Sequence, residues 1–230
     1  MNKIIVDKEN NIVIKNNALI IDILVNELTI NIEGKVLINE IKSIPNEELT
    51  LNIIMSKNSS LVYNRFIINS KMNNKINLIQ EDNSNIDFNY SLIANDNCHL
   101  IINSTLNGNN NITNINVRTS SKNNGSTKIE STANVKPNIK DNNLLESIKS
   151  LNLNDSENII IPNLLVSSDE VEVNHAATIS GLDKDYLFYL NSKGISTHAS
   201  ENLIERGFLL SNLSLNEELE KKIIELMGGE

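Results

Sequence analysis

Apolar and polar positions alternate in short runs along the first 175 residues, and turns rich in Asn, Ser and Asp separate these runs. Clear examples are Ile76 and Leu78, then Ile86, Phe88 and Tyr90, then Leu100 and Ile102. A period of two places every second side chain on the same face of an extended chain, so the runs predict β-strands. Most of the chain is therefore expected to consist of short strands.

The pattern alone leaves the pairing of these strands open among a sandwich, a barrel and a β-solenoid. Asn-Gly steps that suit hairpin turns occur only at 107–108 and 124–125. Few hairpins favour a solenoid, in which each coil stacks on the last, but no strict repeat length separates it from a sandwich. The segment "NLLESIKSLNL" at 143–153 fits either a short helix or another strand.

A helical period replaces the alternation near the end of the chain. The first predicted helix covers 183–193, with Tyr186, Leu187 and Leu190 on one face and Gly194 just after its end. The second begins at the capping residue Ser196. These helices are too short to be stable alone, so they are expected to pack on the strands, on a partner, or on both.

A third helix is predicted from a capping box and an apolar stripe. Ser214 and Glu217 match the S-x-x-E pattern, in which the two side chains satisfy the first free amides of a helix. Acidic residues near its start and lysines further along suit the helix dipole, and Gly228 is placed to end it.

Composition changes this picture in two respects. Aromatic residues make up only 3% of the chain and Trp is absent, so the core must be built from Ile, Leu and Val. Asn is abundant while Gly occurs only eight times. Because Asn tolerates the left-handed backbone region, it is expected to replace Gly at tight turns between strands.

Charge and cysteine content exclude several classes of function. The formal net charge is −9 and no Lys/Arg cluster is present, which argues against nucleic-acid binding. No apolar run reaches membrane-spanning length, so no membrane association is expected. Cys98 is the only cysteine, which rules out an intramolecular disulfide and fits a cytoplasmic location.

No catalytic motif is present. The "EGKV" sequence at 33–36 lacks the earlier Gly and the following Ser/Thr of a phosphate loop, and HExxH, CxxC and GxSxG are absent. Cys98 and His99 resemble a metal-binding pair, but neighbours in a strand point to opposite faces. A buried structural thiol is therefore the preferred interpretation of Cys98, and the chain is expected not to be an enzyme.

His175 has two interpretations. By alternation it shares a face with Val171 and Val173, which suits a hydrogen-bonded histidine near the core. Imidazole is equally a common ligand of iron and zinc. The residue pattern favours the first interpretation and leaves the second open.

The segment "IPNLLVSSDEVEVNHAATISGLDKDYLFYLNSKGIS" resembles the C-terminal signature of the SufB/SufD family, scaffold proteins of the SUF iron–sulfur cluster assembly system. The matching residues are Pro162, Asp169, Val171, His175, Ala177, Thr178, Leu187, Phe188, Tyr189, Leu190, Gly194 and Ile195. The resemblance covers about 151–210, and "ENLIERGFL" continues it.

The resemblance implies a mainly β fold, a right-handed parallel β-helix over 1–181, with C-terminal helices over 182–230 that dock an ATPase. The implied partner is a SufC-like ABC ATPase, contacted through Tyr186, Phe188, Leu203 and Phe208. Family members also pair through their β-helices, which implies an interface at Ile160 and Leu164.

Two departures from the family pattern indicate which kind of member this resembles. The cysteine that SufB proteins use in assembly falls at Ser147, and the Glu that follows their histidine falls at Ala176. The chain is therefore similar to SufD or to a shortened homologue.

The resemblance then implies a non-catalytic scaffold that pairs with a SufB-like paralogue or with itself. It implies no tightly bound cofactor, but a transient iron–sulfur cluster at a subunit interface with His175 as a candidate ligand. The alternative is a β-solenoid interaction protein that keeps the fold without an assembly role.

Overall fold

Parallel strands stacked in two sheets form the body of the molecule. The computed structural model describes residues 2–42, 47–69, 71–122, 124–153 and 156–228. The strands in these ranges are β1 (Asn2–Val6), β2 (Asn11–Ile14), β3 (Ala18–Ile23), β4 (Glu27–Ile32), β5 (Lys35–Lys42), β6 (Glu48–Met55), β7 (Ser60–Asn69), β8 (Met72–Gln80), β9 (Asn85–Ala94), β10 (Asn97–Leu106), β11 (Ile112–Ser121), β12 (Ser126–Val135), β13 (Asn142–Asn152), β14 (Asn158–Val166) and β15 (Val171–Gly181).

The chain winds as a solenoid, because successive strands alternate between the two sheets. The odd-numbered strands form an eight-stranded sheet in the order β1 to β15, and the even-numbered strands form a seven-stranded sheet from β2 to β14. Each strand pairs in parallel with the strand two positions later, as β11 does with β13. The parallel β-helix prediction is confirmed, and the segment at 143–153 is a strand within β13.

Stacked aliphatic side chains fill the space between the two sheets. The inward residues Leu28, Leu51, Ile76 and Ile102 lie in register on successive strands of the seven-stranded sheet. All four are fully buried. Burial of one such side chain contributes about 1.5–3 kcal/mol, so repetition along the solenoid stabilises a mainly aliphatic core, which also holds Tyr63, Phe88 and Tyr90.

Asparagine takes the left-handed turns, as the composition predicts. The non-glycine residues with positive φ in the described ranges are Asn58, Asn83, Asn110, Asn124, Asn138 and Asp141. Their φ values lie between 56° and 65°. These turns link consecutive strands without needing a glycine at each corner.

Three helices follow the last strand: α1 (Lys184–Ser192), α2 (Thr197–Leu210) and α3 (Glu217–Leu226). The first two are capped by Asp183 and Ser196, whose side chains accept amide hydrogen bonds from the first turn. The capping box predicted for the third helix is wrong. Asn216 caps α3 by accepting from the Leu219 amide at 3.0 Å. Ser214 instead donates its backbone N–H to Asn64 Oδ1 at 3.1 Å.

The helices α2 and α3 share a second core with the outer face of the eight-stranded sheet. Its buried members are Ile41, Phe66, Ile93, Leu209, Leu219 and Ile223. Glu205 of α2 is also buried, and its carboxylate accepts from Ser120 Oγ at 2.6 Å and from Lys122 Nζ at 3.2 Å. The two helices therefore pack on the β-helix body through a shared core and a buried carboxylate.

Hydrogen-bonded asparagines on the same outer face hold the connection between α2 and α3. Asn39, Asn64, Asn89 and Asn116 form a ladder, here called the outer asparagine ladder, in which each amide donates to the one before it at 2.9–3.1 Å. Asn64 also donates from Nδ2 to the Ser214 carbonyl at 2.9 Å. This ladder runs across four of the sheet's eight strands and holds the connection through Asn64.

Candidate functional site

The solenoid ends in two strands that each have one free edge. In the described part of the chain, β15 pairs with β13 alone and β14 pairs with β12 alone. A parallel edge of this kind presents unpaired N–H and C=O groups to another chain. Pro162 lies in the middle of β14, where an edge strand tolerates its missing donor.

Ile160 and Leu164, the residues predicted to lie at a pairing interface, point toward the interior of the solenoid at this end. Both are half-buried and pack against the core clusters. Their neighbours Ile159 and Leu165 point to the outer face and are 53% and 55% exposed. Ile160 and Leu164 are thus covered from below but open toward a chain that would stack on the end, and pairing through them stays a prediction.

His175 lies on β15 with its side chain on the inner side, the side that alternation with Val171 and Val173 predicts. Its imidazole is nevertheless exposed, because no strand in the described ranges covers β15. The residue directly beneath it in the ladder is Glu146 of β13. His175 therefore lies on the inner side of the solenoid, as predicted, but at its open end, where the inner side is exposed.

Glu146, the register neighbour of His175, is a candidate residue that the sequence pattern did not single out. It is 1% exposed, and neither carboxylate oxygen has a hydrogen-bond partner among the described residues. Burial raises the pKa of this carboxyl, while the nearby Ser131 hydroxyl, which falls short of hydrogen-bond geometry, and the His175 imidazole lower it. The sequence did carry an indication of this residue, because an acid occupies the inward position between Leu144 and Ile148.

The two positions that depart from the family pattern lie away from the inner face. Ser147 is on the outer side of β13, and its carbonyl accepts from Arg118 Nη1 at 3.5 Å. Ala176 is exposed on the outer side of β15. Neither position supplies a thiol or a carboxylate.

Cys98 is a buried interior residue. It faces inward from β10, is 3% exposed, and lies in register with Met72 and Thr127. Burial, with a smaller contribution from Asp96, raises the pKa of its thiol to about 12. A thiol this reluctant to ionise suits a structural role and not metal binding.

The helix α1 has no buried residue and displays an exposed aromatic surface. Tyr186, Phe188 and Tyr189 are 65%, 75% and 57% exposed. Between α1 and α2 runs an apolar groove lined by Asp183, Tyr186, Leu190, Leu203, Ile204, Gly207 and Phe208. Large apolar side chains clustered at a surface are typical of a protein-binding site.

Of the four residues predicted to bind a partner, three line the groove and the fourth, Phe188, is exposed on α1. Tyr186 and Phe188 are exposed on α1, and Leu203 is 39% exposed on α2. Phe208 is half-buried and its ring lies 5.9 Å from the Arg118 guanidinium carbon. The groove and α1 together form one continuous surface.

Two further features are absent from the described ranges. No group of three or more His, Cys, Asp or Glu side chains is arranged to hold a metal ion. None of the helices in those ranges has both the length and the apolar character needed to cross a bilayer.

Two similarities to known proteins both concern iron–sulfur cluster assembly. Residues 28–208 match the family model described as the SufBD core domain of SUF system FeS cluster assembly. A curated protein of Pyrococcus horikoshii, described as an iron–sulfur cluster assembly SufBD family protein, is 39% identical over 69 residues. That alignment covers 28% of this chain and 16% of the relative.

Proposed function

The chain belongs to the SufBD family of the SUF iron–sulfur cluster assembly system, and from this premise we propose that it is a non-catalytic scaffold subunit of an assembly complex. It works with a SufC-like ABC ATPase that binds the surface formed by α1 and the groove beside α2. A SufB-like paralogue or a second copy stacks on the open end at β14 and β15. The iron–sulfur cluster is transient cargo at that junction.

The exposed face of α1 is the observation that supports the ATPase contact. A nine-residue helix with no buried side chain gains little from packing on its own protein, and helices this short are unstable alone. Its three exposed aromatic rings would lose contact with water in a complex, and buried aromatics commonly carry most of the binding energy at interfaces.

The position of His175 supports the assembly role. By its place in the signature it corresponds to the family's functional histidine, and it is exposed on the strand whose free edge a partner chain would cover. The chain offers Ser147 and Ala176 where a thiol and a carboxylate would stand in SufB proteins. A partner would therefore have to supply the thiolates of a cluster.

Co-purification with a SufC-like ATPase tests the proposal. Replacing Tyr186 and Phe188 by Ala should weaken capture of the ATPase by about tenfold or more, because truncation of interface aromatics costs roughly 2 kcal/mol or more. Ile112→Ala, which removes a 49% exposed apolar side chain from the solenoid, is the matched control and should bind normally.

Two results would contradict the proposal. Equal capture by the double variant and the wild-type chain would place the ATPase contact elsewhere. A wild-type chain that captures no ATPase would instead favour the alternative, a β-solenoid interaction protein without an assembly role.

A further inference from the structure

In two in-register ladders of inward side chains, an apolar residue gives way to a polar one in the same coil of the solenoid, at Ser131 and at Glu146. In the seven-stranded sheet, Leu28, Leu51, Ile76 and Ile102 are followed by Ser131 and Pro162. In the eight-stranded sheet, Ile38, Tyr63, Phe88 and Ile115 are followed by Glu146 and His175. The change is confined to the last coils, next to the open end.

Glu146 interrupts the core at this level. Its neighbours on the same face of β13, Leu144 and Ile148, belong to two separate core clusters. Its two carboxylate oxygens are buried and have no hydrogen-bond partner among the described residues. Buried polar groups in folded proteins are nearly always paired, so an unpaired carboxylate at this position indicates a missing partner.

His175 is placed to share that partner. It is the direct register neighbour of Glu146, and neighbouring strands lie about 4.8 Å apart. Both side chains are on the inner side, and the exposed imidazole lies between the buried carboxylate and the surroundings. A carboxylate and an imidazole side by side are a favourable donor set for divalent iron.

We propose that Glu146 and His175 are two ligands of a single divalent iron ion held at the open end of the solenoid. Water fills the remaining positions in the single chain, and groups of the paired chain replace it when the open ends meet. The choice of iron rests on the proposed function. The positive ion supplies the partner that the Glu146 carboxylate lacks.

One chain supplies only two protein ligands to the ion. Completion of the site by protein ligands therefore requires pairing with a second chain. The described residues contain no third His, Cys, Asp or Glu arranged with these two. Iron held by two protein ligands stays accessible to donors from another chain, so an ion loaded here is available for cluster assembly at the junction.

Titration of the full chain with Co²⁺, a coloured stand-in for Fe²⁺, tests the site through its visible absorption. We expect one Co²⁺ per chain, and we expect Glu146→Gln and His175→Ala each to weaken binding by about tenfold or more, since each removes a ligand. Glu172→Gln is the matched control, because Glu172 is an exposed carboxylate on the outer side of the same strand, β15.

Several outcomes would overturn the inference. These are no Co²⁺ binding by the wild-type chain, unchanged affinity in Glu146→Gln, or equal weakening by Glu172→Gln. If Glu146→Gln unfolds, Glu146→Leu decides the question, because Leu would join the two core clusters between Leu144 and Ile148. Undiminished binding by that variant would also exclude Glu146 as a ligand.

The same variants separate this inference from the proposed function. Glu146→Gln should capture the ATPase as well as the wild-type chain, since no residue of β13 lines the groove beside α1. A wild-type chain that binds Co²⁺ through Glu146 yet captures no ATPase would contradict the proposed function alone.

Discussion

At the scale of single residues, asparagine occupies left-handed turn positions for which glycine is the default residue. Asn58, Asn83 and Asn110 adopt left-handed backbone conformations at corresponding turns. Asn110 also donates from Nδ2 to Asn83 Oδ1 at 3.1 Å, which links one turn to the next. Asparagine reaches this conformation at less cost than other residues with a Cβ, and it loses less backbone freedom on folding than glycine.

Asn58→Ala should lower the free energy of unfolding by about 1 kcal/mol, because alanine is strained at a φ of 60°. Asn58→Gly is the matched control and should cost markedly less, since glycine accepts positive φ without strain. Urea unfolding followed by circular dichroism measures both. Equal losses in the two variants would show that the backbone conformation is not the cause.

The raised pKa of Cys98 makes a prediction about alkaline pH. The thiol has a pKa of about 12 in the folded chain and near 9.0 when unfolded, so between these values only the unfolded chain loses the proton. The stabilising contribution is therefore complete below about pH 9 and is lost as pH rises toward 12. Urea unfolding at about pH 8 and pH 10.5 should show a smaller loss of stability in Cys98→Ala than in the wild-type chain. Parallel losses in both would refute this.

At the scale of elements, period-two alternation was enough to predict the strands. The local sequence pattern could not predict hydrogen bonds between residues that are far apart along the chain. Ser214 has the right spacing to Glu217 for a capping box, yet Asn64, which is 150 positions away, accepts its backbone N–H. Asn216, two positions after Ser214, caps α3 instead. A contact over that sequence distance has no trace in a local motif.

The candidate site shows the same division. Alternation correctly placed His175 on the inner side with Val171 and Val173. The pairing of His175 with Glu146 depends on the register between β13 and β15, and register is set by the whole stack of coils. The signature of the family identified the histidine, while the structure was needed to find the acid beneath it.

Asn64 predicts a local effect on the third helix. Asn64→Ala should leave both the N–H and the C=O of Ser214 unpaired, at a cost of about 1–3 kcal/mol. Amide hydrogen exchange in α3 should become faster. Asn77→Ala is the matched control. Asn77 is likewise an interior member of an asparagine ladder, hydrogen-bonded to Asn52 and Asn103, but its ladder lies on the seven-stranded sheet. Equal acceleration in α3 by both variants would count against the role of the outer asparagine ladder.

At the scale of the whole molecule, the proposed pairing at the open end depends on which way each side chain of the last coil faces. A partner stacked on β14 and β15 would bury the inward side chains of the last coil, while the outward ones would stay in water. This geometry distinguishes adjacent residues on one strand, since Leu164 faces inward and Leu165 is 55% exposed on the outer face.

Leu164→Asp should shift the chain toward monomers in light scattering, because a pair would have to bury the new carboxylate. Leu165→Asp should pair like the wild-type chain at the same concentration. Circular dichroism of each variant controls for loss of the fold. Unchanged pairing of Leu164→Asp, or disruption by Leu165→Asp, would place the interface on another surface.

The order of the elements along the chain has a consequence for synthesis on the ribosome. The outer face at Ile41, Phe66 and Ile93 is finished well before α2 and α3 are translated, because their shared core joins residues from opposite parts of the sequence. Each coil of a solenoid contacts only its neighbours, so finished coils can stack before the helices are made. A nascent chain folded that far would carry a bare apolar patch, and chaperones and proteases would compete with α2 and α3 for it until translation ends.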